Sequence, residues 1–174
     1  GRSRAEVTLV AVTKTQPVDR INELLDAGIQ DIGENRIQEY LEKQDRLLPH
    51  RFHMIGHLQR NKVKHVLGRA VLLHSVDSIG LADEIERLAG RDGRGCDVLI
   101  EVNSSGEATK YGIAPDAAPA VAEHIMRLPH VTLRGLMTVA EYVEDAEVLR
   151  PAFRMMRDLR DTLAAKYPSE NVSE

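Results

Sequence analysis

Short apolar runs alternate with amphipathic stretches along this chain, and that alternation constrains its fold more than any other feature. The runs are residues 7–12, 31–33, 52–55, 71–76, 97–102 and 131–139. The first, fourth and fifth are nearly continuous in Val, Leu, Ile and Ala instead of alternating with polar residues. Such runs suit strands buried on both faces, as in a parallel sheet covered by helices.

The stretches between them have helical spacing and readable ends. Pro17 suits the first turn of a helix that carries Ile21, Leu24 and Leu25 on one face and stops at Gly28. Residues 36–48 form a mixed helix ending before Pro49, and residues 59–66 a short one. Asp77 or Ser78 caps a helix with Leu81, Ile85 and Leu88 on one stripe, closed near Gly90. Residues 115–128 carry Val121, Ile125 and Leu128. The last helix, residues 145–166, carries Leu149, Phe153, Met156 and Leu163, and Pro168 ends it.

Six strand–helix units in succession predict a parallel α/β fold. Two architectures compete, a doubly wound open sheet and a (β/α)₈ barrel of typically about 250 residues. The first turn, Thr13-Lys14-Thr15-Gln16-Pro17, has no glycine, and no phosphate-binding GxxxxGK[ST] loop occurs anywhere. Nucleotide-binding open sheets therefore lose their main signature.

Composition narrows the function. The 174 residues include 23 Lys and Arg against 27 Asp and Glu, a net charge of −4 that gives no basic excess to hold a phosphate backbone. No apolar run is long enough to span a bilayer. A single cysteine, Cys96, excludes an intrachain disulfide and a metal site of several cysteines. These features set the expectation of a single cytoplasmic domain over residues 1–174, without nucleic acid or membrane as partner. The low aromatic content and dispersed charge make a monomer the default.

Candidate chemistry lies at the carboxyl ends of the strands, where parallel α/β folds bind ligands. Lys14 follows the first strand and by period two shares a face with Val12, Val10 and Thr8. Inside a barrel, a lysine is desolvated and becomes a nucleophile toward an aldehyde. The plainer reading is a loop lysine that reaches water. Asn35 in Gly33-Glu34-Asn35 either caps the helix it opens or donates to a ligand oxygen. His53 and His57 are four apart, but on a strand that separates them by about 13 Å, too far for one metal ion, so core or rim histidines are expected. In His74-Ser75-Val76-Asp77-Ser78 adjacent residues point to opposite faces, which excludes a nucleophile–base–orienter triad. The polar loop after the fifth strand, Asn103-Ser104-Ser105-Gly106, is either a plain connection or part of the functional rim. Met137, after Arg134-Gly135-Leu136, packs in the core or lies against a flat ring.

Together, Ala11-Val12-Thr13-Lys14-Thr15-Gln16-Pro17, Gly33-Glu34-Asn35, His53-Met54-Ile55-Gly56-His57-Leu58-Gln59-Arg60-Asn61-Lys62, His74-Ser75-Val76-Asp77-Ser78 and Arg134-Gly135-Leu136-Met137 resemble the pyridoxal-phosphate homeostasis protein family. The resemblance runs over essentially the whole chain. It implies a TIM-type (β/α)₈ barrel like the N-terminal domain of alanine racemase, with strands seven and eight, and the phosphate cup they supply, missing from these residues. A helix that precedes the first strand in the family is missing as well, so the resemblance reads the chain as truncated at both ends. It further implies that Lys14 forms a Schiff base with pyridoxal 5′-phosphate and that Asn35 and Met137 lie near that cofactor. The expected role is a carrier and regulator of vitamin B6 and amino-acid pools, without dedicated turnover, with pyridoxal-phosphate-dependent apoenzymes as partners. The alternatives are a racemase, a decarboxylase or a Schiff-base aldolase, and a pure interaction protein. None of Tyr40, Tyr111, Tyr142 and Tyr167 shows a base role in the sequence.

Overall fold

The computed structural model describes residues 3–107, 110–140, 143 and 145–167. Tyr142, Pro168 and the terminal residues 171–174 lie outside them. Six strands form one parallel sheet: β1 (Val10–Val12), β2 (Asp31–Glu34), β3 (Arg51–Met54), β4 (Ala70–Val76), β5 (Cys96–Glu101) and β6 (Val131–Met137). Six α-helices follow them: α1 (Val18–Asp26), α2 (Ile37–Lys43), α3 (Val63–Val66), α4 (Ile79–Asp92), α5 (Ala118–Ile125) and α6 (Ala146–Lys166). Single 3₁₀ turns extend α2 at Gln44–Arg46 and precede α3 and α5 at Arg60–Lys62 and Pro115–Ala117.

The strand order β1-β2-β3-β4-β5-β6 decides between the two architectures. A doubly wound sheet reverses direction at a switch point. Here each crossover moves one strand further the same way, which is the winding of a (β/α) barrel. The helices accordingly cover one face. Ile32, Phe52, Met54, Leu73, Val98, Ile100 and Leu133 are buried in a single cluster with Ile21, Ile37, Leu81, Ile85, Val121 and Ile125 of the helices. Leu72 and Leu99 are buried outside that cluster, on the opposite, concave face.

Local chemistry explains the helix ends. The Ser78 side chain accepts from Leu81 N–H at 3.3 Å and starts α4, and Asp145 caps α6 by accepting from Glu147 N–H. Gly93, with φ 62°, closes α4 in the left-handed conformation, three residues beyond the expected Gly90. Pro17 is the N-cap of α1 and not its first helical residue.

Two expectations need correction. The first apolar run yields only a three-residue strand, and Val7, Leu9 and Val12 are more than half exposed. Among the described residues β1 pairs only with β2, and no strand of theirs covers its other edge. Asn35 does not cap α2, because that helix starts at Ile37 with Arg36 as N-cap. No helix among the described residues is long and apolar enough to cross a membrane.

Candidate functional site

Lys14 stands in the turn after β1, at the carboxyl end of the sheet, and is exposed. It is not enclosed in the concave face, because β1 ends at Val12 and Lys14 lies exposed in the turn beyond it. Among the described residues no side chain pairs with its amine. The turn itself is tightly specified. Gln16 N–H donates to Thr13 O at 3.1 Å, and Thr15 has φ 63°, a conformation that β-branched residues rarely adopt. Thr13 is buried, and its hydroxyl donates to Glu34 Oε1 at 2.8 Å.

Glu34 is buried at the end of β2 and pairs with Lys43 of α2 at 3.1 Å. Lys43 also reaches Glu39 at 2.6 Å and Thr13 O at 3.2 Å. Burial opposes the Lys43 charge, but the hydrogen bonds to Glu39 and Glu34 outweigh it and hold the amine above its ordinary value. Glu39 is pushed down by its Lys43 hydrogen bond, against the opposing effect of burial, with help from Thr15 N–H.

Asn35 lies half-buried between β2 and α2. It lines a rim pocket of about 430 Å³ with Met54, Gly56, His57, Lys62 and Tyr111. Gly56 has to be glycine, since a Cβ there would sit 2.5 Å from Asn35 O and 2.6 Å from Asn35 Cα. His57 stacks on Tyr111 with ring centroids 4.3 Å apart, and its Nδ1 lies 3.2 Å from Asp77. Met137 is half-buried at the end of β6, in register with Glu101 of β5. Lys14 and Asn35 thus leave adjacent strands, joined through Thr13 N–H to Gly33 O at 3.0 Å, whereas Met137 belongs to the far edge strand at the same end.

Two polar groups on the concave face are assembled by no local pattern in the sequence, although His53 and His74 were noted there singly. Ile100 and Val102 belong to the helix-side core, so alternation sends Glu101 to the other face. It is buried, and its Oε2 has no hydrogen-bond partner among the described residues. Burial, with the nearby Asp77 charge, pushes its carboxyl up to about 7. At the opposite end of the strands, Asp31 binds Arg51 and receives His53 Nε2 at 2.9 Å, while His53 Nδ1 meets His74 Nε2 at 2.9 Å. Burial, with His53 beside it, pushes His74 down to about 4. The Arg51 hydrogen bond holds Asp31 below the ordinary carboxylate range despite burial. This cluster lines a concave space of about 830 Å³ with Leu72, Leu99 and Arg134. His53 is therefore a satisfied core histidine and His57 a rim histidine, although β3 ends at Met54 and His57 lies beyond the strand on which the sequence placed both. The Ser75 hydroxyl donates to Gly56 O and lies apart from any triad.

The sequence profile of the family described as alanine racemase, N-terminal domain, matches residues 2–173. The pyridoxal phosphate homeostasis protein of Aquifex aeolicus is 44% identical over 169 residues, 96% of this chain and 74% of that protein. The protein of the same name from Vibrio cholerae is 40% identical, over 97% of this chain and 74% of its own length. PipY of Synechococcus elongatus, solved with PLP bound, superposes with a TM-score of 0.89 at 30% identity, over 99% of this chain and 82% of that one. Alanine racemase of Clostridium difficile superposes with a TM-score of 0.83 over 98% of this chain and 48% of its own. At 14% identity that likeness shows the fold alone, a barrel of the alanine racemase N-terminal type.

Proposed function

The chain belongs to the alanine racemase N-terminal domain family and, within it, to the pyridoxal phosphate homeostasis proteins, and from that premise we propose that it binds pyridoxal 5′-phosphate through Lys14. The observation that carries this reading is the Lys14 amine itself. It is exposed, unpaired among the described residues, and mounted on a specified turn at the ligand-binding end of the strands.

The residues present fit the cofactor. Lys14 offers a nucleophilic amine, Asn35 an amide beside it, and Met137 a polarisable thioether for a flat ring. When bound, pyridoxal phosphate supplies an aldehyde for the amine and an electron-withdrawing ring. In this proposal Lys14 holds the cofactor, and Asn35 and Met137 orient it. A closed eight-stranded barrel would set two further strands between the free edges of β6 and β1, next to Lys14 and Met137.

The role is that of a carrier serving vitamin B6 and amino-acid homeostasis, with no dedicated turnover. The names of the relatives support it, and so do two of the four tyrosines, whereas Tyr111 lies in the rim pocket stacked on His57. A racemase needs a base on each face of the substrate carbon. Tyr40 is buried against Phe52 and hydrogen-bonded to His50, and Tyr167 leans on Glu123, so both are engaged elsewhere. An exposed Lys14 also suits handing the cofactor to the lysine of an apoenzyme. The proposal takes the chain as a cytoplasmic monomer.

The test is to add pyridoxal 5′-phosphate, follow the absorbance of the lysine adduct, reduce with borohydride and map the modified peptide by mass spectrometry. A single adduct at Lys14, abolished by Lys14→Ala with unchanged folding, is expected. Label scattered over surface lysines would refute the site, and steady turnover of an amino acid would favour the racemase or decarboxylase alternative.

A further inference from the structure

We propose that the part-buried Glu34–Lys43–Glu39 cluster is a positioning device that holds the Lys14 turn in its left-handed conformation and so presents the Lys14 amine to an aldehyde-bearing ligand. The inference rests on the reading of Lys14 given above and extends it to residues that touch no ligand.

The argument starts from the backbone. Thr15 directly follows Lys14 and has φ 63°. A residue with a branched Cβ pays a steric cost there, and such strain persists only where the surroundings over-determine it. They do so on both sides of Lys14. On the amino side, the Thr13 hydroxyl donates to Glu34, and Thr13 O accepts from both Gln16 N–H and Lys43 Nζ. On the carboxyl side, Thr15 N–H donates to Glu39 Oε1. Lys43 joins the two sides by binding Glu34 and Glu39 at once.

Burial makes this arrangement informative. Glu34 is 1% exposed and the Lys43 side chain 11% exposed. An ion pair taken out of water is a weak source of stability, and apolar residues of similar volume often do as well. Glu34 Oε2 even lacks a partner among the described residues. The cluster is therefore costly as a stabilising element but well suited to setting a geometry. It also lies on the helix side of the sheet, since Ile32 and Glu34 share that face, and leaves the ligand side of the turn to Lys14.

The experiment measures the rate of the borohydride-reducible adduct at Lys14 with pyridoxal 5′-phosphate, together with thermal unfolding, for this chain and four variants. Lys43→Met is expected to slow the adduct about 10-fold or more, as displacement of a reacting group by about an ångström does. Lys43→Arg keeps the charge and the donors and should recover most of the rate. The double variant Glu34→Gln with Lys43→Met leaves no unpaired charge between those two positions, so it should fold while remaining slow. Thr15→Gly relieves the strained φ and is expected to melt no lower than the wild type while reacting several-fold more slowly. A purely structural role would move rate and melting temperature together. Variants that react within twofold of the wild type overturn the positioning role alone. A wild type that forms no Lys14 adduct overturns the cofactor reading and this inference with it.

Discussion

Glu101 and His74 make opposite demands on stability in the same pH window, which gives a sharp test of the interior. Glu101 is raised by burial and the Asp77 charge from 4.5 to about 7. The folded chain then holds a proton that the unfolded chain has released, so this group's contribution falls as pH rises from 4.5 toward 7. His74 is lowered by burial and its His53 neighbour from 6.5 to about 4. Here the unfolded chain takes the proton first, so stability is lost as pH falls from 6.5 toward 4. Each slope approaches about 1.4 kcal/mol per pH unit, and integration between pH 4.5 and 6.5 gives about 2 kcal/mol for each group, with opposite signs. The lowered carboxyl of Asp31 acts below its ordinary value of 3.8, outside this interval. The wild-type stability should accordingly be nearly flat between pH 4.5 and 6.5. Glu101→Gln removes one slope and should gain about 2 kcal/mol across the interval as pH rises. His74→Gln removes the other and should lose about as much across the interval. Urea titrations at the two ends of the interval read this as a midpoint shift of roughly 1 M. Single variants that keep the flat wild-type profile, or a Glu101→Gln profile that falls, would refute the reasoning.

Other outcomes follow from packing. Gly56→Ala drives a Cβ into the Asn35 backbone and should cost about 1–3 kcal/mol in urea unfolding while weakening any ligand held by Asn35. Phe52, 1% exposed and stacked on Tyr40 at 3.7 Å, should cost about 3–5 kcal/mol as Phe52→Ala, read by thermal or urea unfolding. Cys96 is buried and its thiol is pushed up to about 12 by burial and Asp97, so a thiol reagent should label nothing in the folded chain and one group after denaturation.

The order of elements was legible because it is written in local periodicity. Continuous apolar runs marked β4 and β5, and helical spacing with Ser78 before it marked α4. Lys14 and Asn35 came out just past strand carboxyl ends because those ends follow from where the apolar runs stop, whereas Met137 ends β6 two residues inside the run 131–139. The edge behaviour of β1 was not legible, since whether an apolar run is covered depends on which strand lies beside it. The Asn35 cap failed for a smaller reason, a one-residue shift in where α2 begins.

By itself, then, the sequence determined six strand–helix units, their approximate limits, and a reactive residue type in the turn after β1. Periodicity and capping act over a few residues, and the sequence carries them directly. Only the tertiary structure decided that the strands follow one another without reversal, that Lys14 faces water, and that Glu34, Lys43 and Glu39 meet around its turn. It likewise decided that Asp31, His53 and His74 join across three strands, and that Glu101 is buried without a partner for Oε2 among the described residues. Those contacts depend on register and on the winding of the sheet, which bring together residues that no local pattern connects.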